Sequence, residues 1–397
     1  MAETTRPTEL RRSTLNIANL PEEILSEIFL LLPPKSVLLS RAVCKAWRRI
    51  TSDRTFLISH HRRQPQRRLF TFVRDVGTHY DNLRLVDYCV EALDFRKHEF
   101  RSVVRFTFDY YDPLVSDGPF SVHGACDGLL LMSFRNRLYL SNPTTRQWVS
   151  VFSPALKHVK VKAAGLYVHG SEYRVLYYRE IGLETTFYIS TVGSGNERCI
   201  RPHSSLVFVR KLIAAESDAI DFKEPFLFHG NLHWLISLPN CRDILVFDTI
   251  GEVFWLLHAP VKNLALVSSL LEIDGMLAIS NSNIGGSKVN LWLLQDYRGG
   301  VWVHKYCIEL PVIEISRFEE DEGWCSHILS RKGDVLVDGF DWQLHFDRNG
   351  NLLEKFQCNG RLLNFTAKVF RESLVPHALF REQENRAARG PPFFRGL

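Results

Sequence analysis

Residues Leu20 to His61 read LPEEILSEIFLLLPPKSVLLSRAVCKAWRRITSDRTFLISHH. Within this stretch Ile24, Leu25, Ile28, Leu31 and Leu32 fall at i, i+1, i+4, i+7 and i+8, which draws one apolar helical stripe, and Phe29 and Leu30 widen it. Pro21 suits a first helical turn, where its missing N–H costs nothing, and Glu22 and Glu23 complement the positive end of the helix dipole. Pro33-Pro34 stops the helix. The pattern predicts two more short helices, Lys35 to Val43 carrying Val37, Leu38 and Leu39, and Cys44 to Ile50 carrying Trp47. Three short helices in about 40 residues cannot make a deep core, so apolar surface is left for a partner. The stretch reads as a binding module.

On its N-terminal side, residues 1–18 carry Thr, Arg and Pro without apolar periodicity and are expected to be a disordered leader. No apolar run follows Met1 to Ser13, so no secretory signal is expected. Ile24 to Leu32, the most hydrophobic run, falls well short of the ~20 residues that span a bilayer. A soluble protein of the cytoplasm, the nucleus or both is expected, with no membrane partner. On the C-terminal side, Arg62, Arg63, Arg67 and Arg68 cluster around Pro65, and 62–68 is expected to be a basic linker with the domain boundary near 65. No apolar periodicity ties this stretch to either neighbour, so the modules it joins are expected to separate.

The remaining chain is large enough for a core of its own: the protein has 397 residues, 45% of them apolar and 23% charged. A recurrent unit runs through it. An apolar residue leads into a glycine-centred turn and a short apolar strand at Cys126-Asp127-Gly128-Leu129-Leu130-Leu131, at Phe228-His229-Gly230-Asn231-Leu232-His233-Trp234 and at Ile273-Asp274-Gly275-Met276-Leu277-Ala278. Weaker copies occur at Val168-His169-Gly170 and Lys332-Gly333-Asp334. The glycines supply the positive φ that tight hairpins require. A strand ending in a polar turn follows most copies, as at Leu140-Ser141-Asn142 and Val246-Phe247-Asp248, and then a last strand, as at Val253-Phe254-Trp255 and Val301-Trp302-Val303. The unit is roughly 42 to 60 residues long, the period of propeller blades. Five units fit between about residues 120 and 360, and strands in 69–110 supply a sixth, completed by Leu362 to Phe370 from the far end. An open pair of packed sheets would satisfy the same strands. The fold expected is thus multidomain α+β: a small three-helix module, then an all-β propeller-like domain of about six blades over 69–375, then a flexible tail over 376–397.

The quoted helical stretch resembles an F-box. The resemblance rests on Leu20-Pro21, the Ile24/Leu25/Ile28 stripe, Leu32-Pro33, Leu38-Leu39, Val43-Cys44-Lys45 with Trp47, and Asp53 and Phe56, and it covers residues 19–61. Leu39-Ser40-Arg41 departs mildly from the pattern of many plant members. The segments CDGLLLM, LSNPTTRQW, HGNLHWL, VFDT with Glu252, and EIDGMLAI resemble the kelch-like F-box-associated domain of plant F-box proteins. The resemblance implies a substrate-recognition subunit of an SCF-type ubiquitin ligase, docked on a Skp-type adaptor and through it on a cullin, with an unknown target protein held by the β domain. By motif match the docking falls to Leu20, Pro21, Ile24, Leu25, Ile28, Leu32, Pro33, Leu39, Val43, Cys44 and Trp47, through contacts or by holding the helices in place.

Catalytic patterns are missing from the sequence: there is no G-x-S-x-G elbow, H-E-x-x-H, Walker-type loop or G-x-G-x-x-G. Non-catalytic function without cofactor or metal is expected, the alternative being a propeller enzyme or small-ligand binder that carries an F-box. The eight cysteines stand singly and read as reduced core thiols, Cys44 among them. His229 and His233 flank Gly230 and read as surface or core residues, and Asp127 and Asp274 as side chains that bond the turn backbone. A net charge of +5 makes nucleic acid an unlikely partner without local clustering. The acidic run Glu319-Glu320-Asp321-Glu322 reads as a solvated loop.

Overall fold

The structure, a computed structural model, describes residues 20–79, 83–94, 99–109, 120–134, 137–151, 161–181, 184–194, 196–200, 225–236, 243–262, 268–282, 287–318, 324–329, 332–339, 342–357 and 362–380. The leader 1–18, the run at 319–322 and all of the tail beyond Phe380 lie outside them. The chain forms two compact units, one running up to Pro65 and taking in Glu372–Pro376, the other comprising Gln66–Arg371 and continuing from His377.

The first unit is helical. The three expected helices are present as α1 (Glu22–Leu30), α2 (Pro34–Ser40) and α3 (Lys45–Ser52), and a fourth follows, α4 (Arg54–Arg63). Asp53 starts α4: its Oδ1 accepts the backbone N–H groups of Thr55 at 2.9 Å and Phe56 at 3.0 Å, satisfying amides that have no partner inside the helix. The Thr55 hydroxyl donates to the same oxygen, and that bond first, with the backbone bonds beside it, favours the carboxylate and holds the Asp53 pKa below its ordinary value. Phe56, Leu57, His60 and Gln64 then turn inward together. Arg62 and Arg63 therefore close α4, and Arg67 and Arg68 open a strand, so only Gln64–Gln66 lie between helix and strand.

The core of this unit joins Leu25, Phe29 and Leu30 of α1, Val37 of α2, Ile50 of α3 and Phe56 and Leu57 of α4, with Leu374 buried among them from the far end of the chain. His61 Nδ1 lies 2.9 Å from the carbonyl oxygen of Glu372 and fixes that returning segment. The helical unit thus reaches beyond residues 19–61: its core takes in a leucine more than 300 residues downstream.

The second unit is a six-bladed β-propeller of four-stranded antiparallel sheets. Blade 1 is closed across the two ends of the domain, in the order β24-β1-β2-β3, from β1 (Arg67–His79), β2 (Leu83–Asp94), β3 (Glu99–Asp109) and β24 (Leu362–Phe370). Blade 2 comprises β4 (Phe120–Cys126), β5 (Leu129–Phe134), β6 (Arg137–Asn142) and β7 (Gln147–Ser150). Blade 3 comprises β8 (Val161–His169), β9 (Glu172–Ile181), β10 (Glu184–Thr191) and β11 (Glu197–Cys199). Blade 4 comprises β12 (Phe226–Phe228), β13 (Asn231–Leu235), β14 (Asp243–Asp248) and β15 (Val253–His258). Blade 5 comprises β16 (Ser268–Ile273), β17 (Met276–Ser282), β18 (Lys288–Asp296) and β19 (Val301–Glu309), and is followed by the short helix α5 (Val312–Ile315). Blade 6 comprises β20 (Cys325–Ile328), β21 (Val335–Asp338), β22 (Trp342–Phe346) and β23 (Leu352–Gln357).

Two kinds of turn set this repeat. Asp127-Gly128, His229-Gly230 and Asp274-Gly275 have positive φ at both positions (51° and 78°, 45° and 75°, 51° and 75°), the type I′ geometry that matches the twist of a hairpin. The two aspartates thus enter the left-handed region themselves instead of only capping the turn. The backbone is capped at the second kind of turn, between the third and fourth strands. There Asn142, Asp248, Asp296 and Asp347 each accept the N–H two residues ahead, from Thr144, Ile250, Arg298 and Asn349, at 2.8 to 3.0 Å.

Alternate strand residues enter opposite interblade cores. Leu130 and Met132 pack with Tyr88, Val90 and Val104 of blade 1, whereas Leu129 and Leu131 pack with Leu166, Val175 and Tyr177 of blade 3. The ring closes where Phe70 and Leu93 of blade 1 meet Leu336 of blade 6. Pairing of β24 with β1 removes the open sheet edges that the chain ends would otherwise leave. No described helix is long and apolar enough to cross a membrane.

Candidate functional site

Polar contacts between the helices of the first unit include Arg41 Nη2 donating to the Thr51 carbonyl at 2.8 Å, His60 Nε2 2.8 Å from the Leu32 carbonyl, Arg63 paired with Glu27 at 2.8 Å, and Arg49 paired with Glu22. The two ion pairs are solvent-exposed and contribute little. Burial does more, and it divides the residues named from the sequence into two groups. Leu25 is buried in the core; Leu20, Leu32 and Trp47 pack half-buried against it, Trp47 edge-on to Phe29 with ring centroids 5.0 Å apart. These four position the helices. Pro21, Ile24, Ile28, Pro33, Leu39, Val43 and Cys44 are exposed.

The exposed group includes side chains that water disfavours: Ile24, Ile28, Leu31, Leu38, Leu39 and Val43 are 38% to 78% accessible. Ile24, Ile28 and Leu31 share one face of α1 by their four- and three-residue spacing, and Leu38, Leu39 and Val43 follow at the end of α2 and in the turn after it. Leu31 and Leu38 were not among the site residues expected from the sequence. The signal for Leu31 was its spacing from Ile24 and Ile28, which marks a face distinct from that of Leu25, Phe29 and Leu32. Cys44 is exposed, not a small buried hydrophobe; its Sγ accepts the Trp47 N–H at 3.5 Å and caps α3. Cys199, Cys307 and Cys325 are also exposed, on the outermost strands of blades 3 and 5 and the innermost strand of blade 6, so the core-thiol reading fits Cys89 but not these.

In the propeller the polar side chains that converge do so between blades. Glu252, in the last turn of blade 4 at φ 52°, accepts from Tyr167 Oη and Arg174 Nη1 of blade 3, each at 2.8 Å, and also pairs with Arg198. His233 is fully buried, with Nδ1 3.1 Å from the Phe226 carbonyl and Nε2 2.6 Å from Tyr297 Oη of blade 5. Burial lowers its pKa to about 4 and keeps it neutral. His229 is exposed and stacks on Phe228. Glu252 and His233 tie blades together. Among the described residues no cluster of three or more His, Cys, Asp or Glu side chains is placed to hold a metal ion.

Residues 95–347 match the F-box associated beta propeller domain. The chain belongs to that family. Residues 17–63 match the F-box-like domain, so the protein is a plant-type F-box protein with a C-terminal interaction domain. Among similar proteins, the F-box/kelch-repeat protein At3g23880 of Arabidopsis thaliana is 22% identical over 76% of this chain and 82% of that one. The F-box protein At3g22700 of the same plant is 25% identical over 70% and 81%, and the F-box protein CPR1 is 23% identical over 74% of each chain. A dihydro-heme d1 dehydrogenase, NirN, in complex with DHE superposes at a TM-score of 0.31 with 11% identity over 73% of this chain and 63% of that one, too distant to carry an argument.

Proposed function

We propose that this F-box protein is the substrate-recognition subunit of an SCF-type ubiquitin ligase. The single observation that carries the reading is the set of exposed apolar side chains on the F-box helices, Ile24, Ile28, Leu31, Leu38, Leu39 and Val43. A unit this small leaves such side chains in water at a cost, and a helical Skp-type adaptor laid against them would remove it. Leu20, Leu25, Leu32 and Trp47 hold the helices that present them; Pro21, Pro33 and Cys44 shape the helix starts. The adaptor bridges to a cullin, and the propeller holds the target protein. Function then follows from proximity: a target lysine held near a conjugating enzyme reacts at raised effective concentration, so the chain itself supplies no catalytic group. We place it in the cytoplasm, the nucleus or both.

The reading is tested with the full chain and a purified Skp-type adaptor. Ile28→Asp combined with Leu39→Asp should abolish adaptor binding in a titration while leaving the melting transition in place, since both side chains are exposed. Undiminished binding by a folded double variant would show that these helices are not the docking surface.

A further inference from the structure

The ladder that closes blade 1 is interrupted near its end. Between β1 and β24, Phe72 pairs with Leu363 and Phe70 with Phe365, but the next pairs are Arg68 with Val369 and Arg67 with Phe370. A step of two residues along β1 thus matches a step of four along β24, a bulge that leaves a rung of only two residue pairs beyond it. So short a rung has little stability of its own. Thr366 spans the bulge: its hydroxyl donates to the Leu69 carbonyl at 2.7 Å, and Leu69 and Phe370 are buried in the core between blades 1 and 2.

Beyond the rung, both chains run straight into the helical unit. Residues 64–66 join α4 to β1, and Gln64 is itself buried, its N–H bonded to the His60 carbonyl at 3.1 Å. On the other strand Arg371 alone separates Phe370 from Glu372, whose carbonyl oxygen lies 2.9 Å from His61 Nδ1 on the same α4. Ser373 and Leu374 follow, both buried. Residues 61–67 and 370–372 therefore form a closed circuit, with the His61–Glu372 contact as one cross-link and the Arg67–Phe370 register pair as the other. A circuit this short leaves little slack. While Leu374 stays seated the rung has no room to open widely, and once the leucine is released nothing in the circuit holds the rung.

We propose that the last rung of the β1–β24 ladder, the seat of Leu374 and α4 open as one event, so that an adaptor bound at the F-box helices also keeps blade 1 closed. The adaptor half of this statement rests on the proposed function; the joint opening does not. A ligand that binds only the seated helices makes every opening that unseats Leu374 rarer, and with it every opening of the rung. The coupling is reciprocal: a change that loosens the rung unseats the leucine as often.

Hydrogen exchange on the full chain tests it, with β14 and β17 of blades 4 and 5 as the reference. Thr366→Val removes the hydroxyl that spans the bulge and leaves every F-box side chain in place. It should speed exchange about fivefold both at 67–69 and in α4. Leu374→Ala should speed exchange in the same two places, about tenfold or more. A purified Skp-type adaptor at a hundred times its Kd should slow both, by up to ~100-fold, with the reference strands unmoved. A response of 67–69 without α4, or of α4 without 67–69, overturns the joint opening, and so does a Thr366→Val protein that exchanges like the original in both places. Should Leu374→Ala fail to fold, Thr366→Val still decides. An adaptor that does not bind removes the proposed function and leaves the two substitutions to decide this inference. An adaptor that binds and protects α4 alone removes this inference and leaves the proposed function standing.

Discussion

The F-box helices and the propeller are both completed by residues from the far end of the chain, yet they treat their apolar side chains differently. The propeller divides each blade's two faces between neighbouring blades, so strands such as Leu129 to Met132 are buried on both sides. The helical unit has a single core, and six of its large apolar side chains stay in solvent. Closure differs as well. The propeller is closed by a ladder of backbone hydrogen bonds between β24 and β1, whereas the helices receive one buried leucine and a histidine–carbonyl contact. The contrast teaches that a small helical module can keep an apolar face exposed when its core is completed from outside its own sequence motif.

The strongest way to break that comparison is to remove the borrowed leucine. Leu374→Ala leaves a cavity among Leu25, Phe29, Val37 and Phe56, and such a truncation costs about 2 to 5 kcal/mol. Hydrogen exchange on the full chain should show faster exchange across α1 to α4, with the strands of blades 2 to 5 unchanged. Unchanged helix amides would show that Leu374 is dispensable and that the F-box is a free-standing module after all.

A slightly smaller effect is expected where the propeller holds its own blades together. Glu252 has a side chain only 9% exposed and receives two arginines and a tyrosine from blade 3. Glu252→Ala leaves Arg174 without that carboxylate, though Glu172 remains 2.9 Å away. Breaking a buried pair costs several kcal/mol; Arg198 is half-exposed and solvates readily, so the loss should be about 3 kcal/mol, at the low end of that range. Calorimetry should show a lowered propeller transition, while the helix amides that respond to Leu374→Ala stay protected.

How far these features could be read from the sequence follows from the range of the interactions involved. The D-G and H-G hairpins, the blade period and the closing role of 362–370 were legible because each depends on local turn chemistry or on repetition. The α4 helix was not read, because Phe56, Leu57 and His60 give a short, broken apolar pattern; Asp53 two residues before Thr55 was the available signal. Leu374 could not be read at all, since nothing local distinguishes it from any leucine near a strand end. The exposed apolar face was legible as a list of residues but not as a surface. Leu25 and Ile28 look alike in a stripe, and only packing shows that the first is inside and the second outside.

Acid sharpens the comparison because each unit buries a neutral histidine. His60 is fully buried, 2.8 Å from the Leu32 carbonyl, and burial holds its pKa below the ordinary value; that of His233 is lowered to about 4. Both bind protons more readily unfolded than folded, so their contribution is complete above pH ~6.5 and is lost as pH falls through the window below it. For His233 the loss by pH 5 is about 2 kcal/mol, one and a half pH units at ~1.4 kcal/mol each. Melting of the full chain between pH 7 and 5 should show it, and His233→Gln, which keeps a polar group near Phe226 and Tyr297, should remove that share of the dependence. The shares of His60, His123 and His327 stay, the last two with pKa values lowered by burial to about 3. A pH profile unaffected by that substitution would mean that His233 is not held neutral.

The smallest expected effect concerns backbone geometry alone, a device that the propeller turns use and the described helical unit does not. Gly275 sits at φ 75° with nothing within 4 Å of the place where a Cβ would stand. Gly275→Ala therefore meets no steric neighbour, and its whole cost is the left-handed conformation, about 1 kcal/mol. Asp274, one residue earlier, already holds φ 51°, which shows that a short polar side chain is accepted in this hairpin. Gly275→Asn should then cost less than Gly275→Ala, although asparagine is the larger residue, because its amide bonds local backbone groups in that region. Gly165 provides the opposite case. A Cβ there would come 2.5 Å from Leu232 Cδ1 across the interface between blades 3 and 4, so alanine already crowds the site and asparagine should be worse. Thermal melts of the four variants decide it: asparagine milder than alanine at 275 and harsher at 165 is the expected order. Alanine milder than asparagine at both positions would show that space, not φ, limits the hairpin.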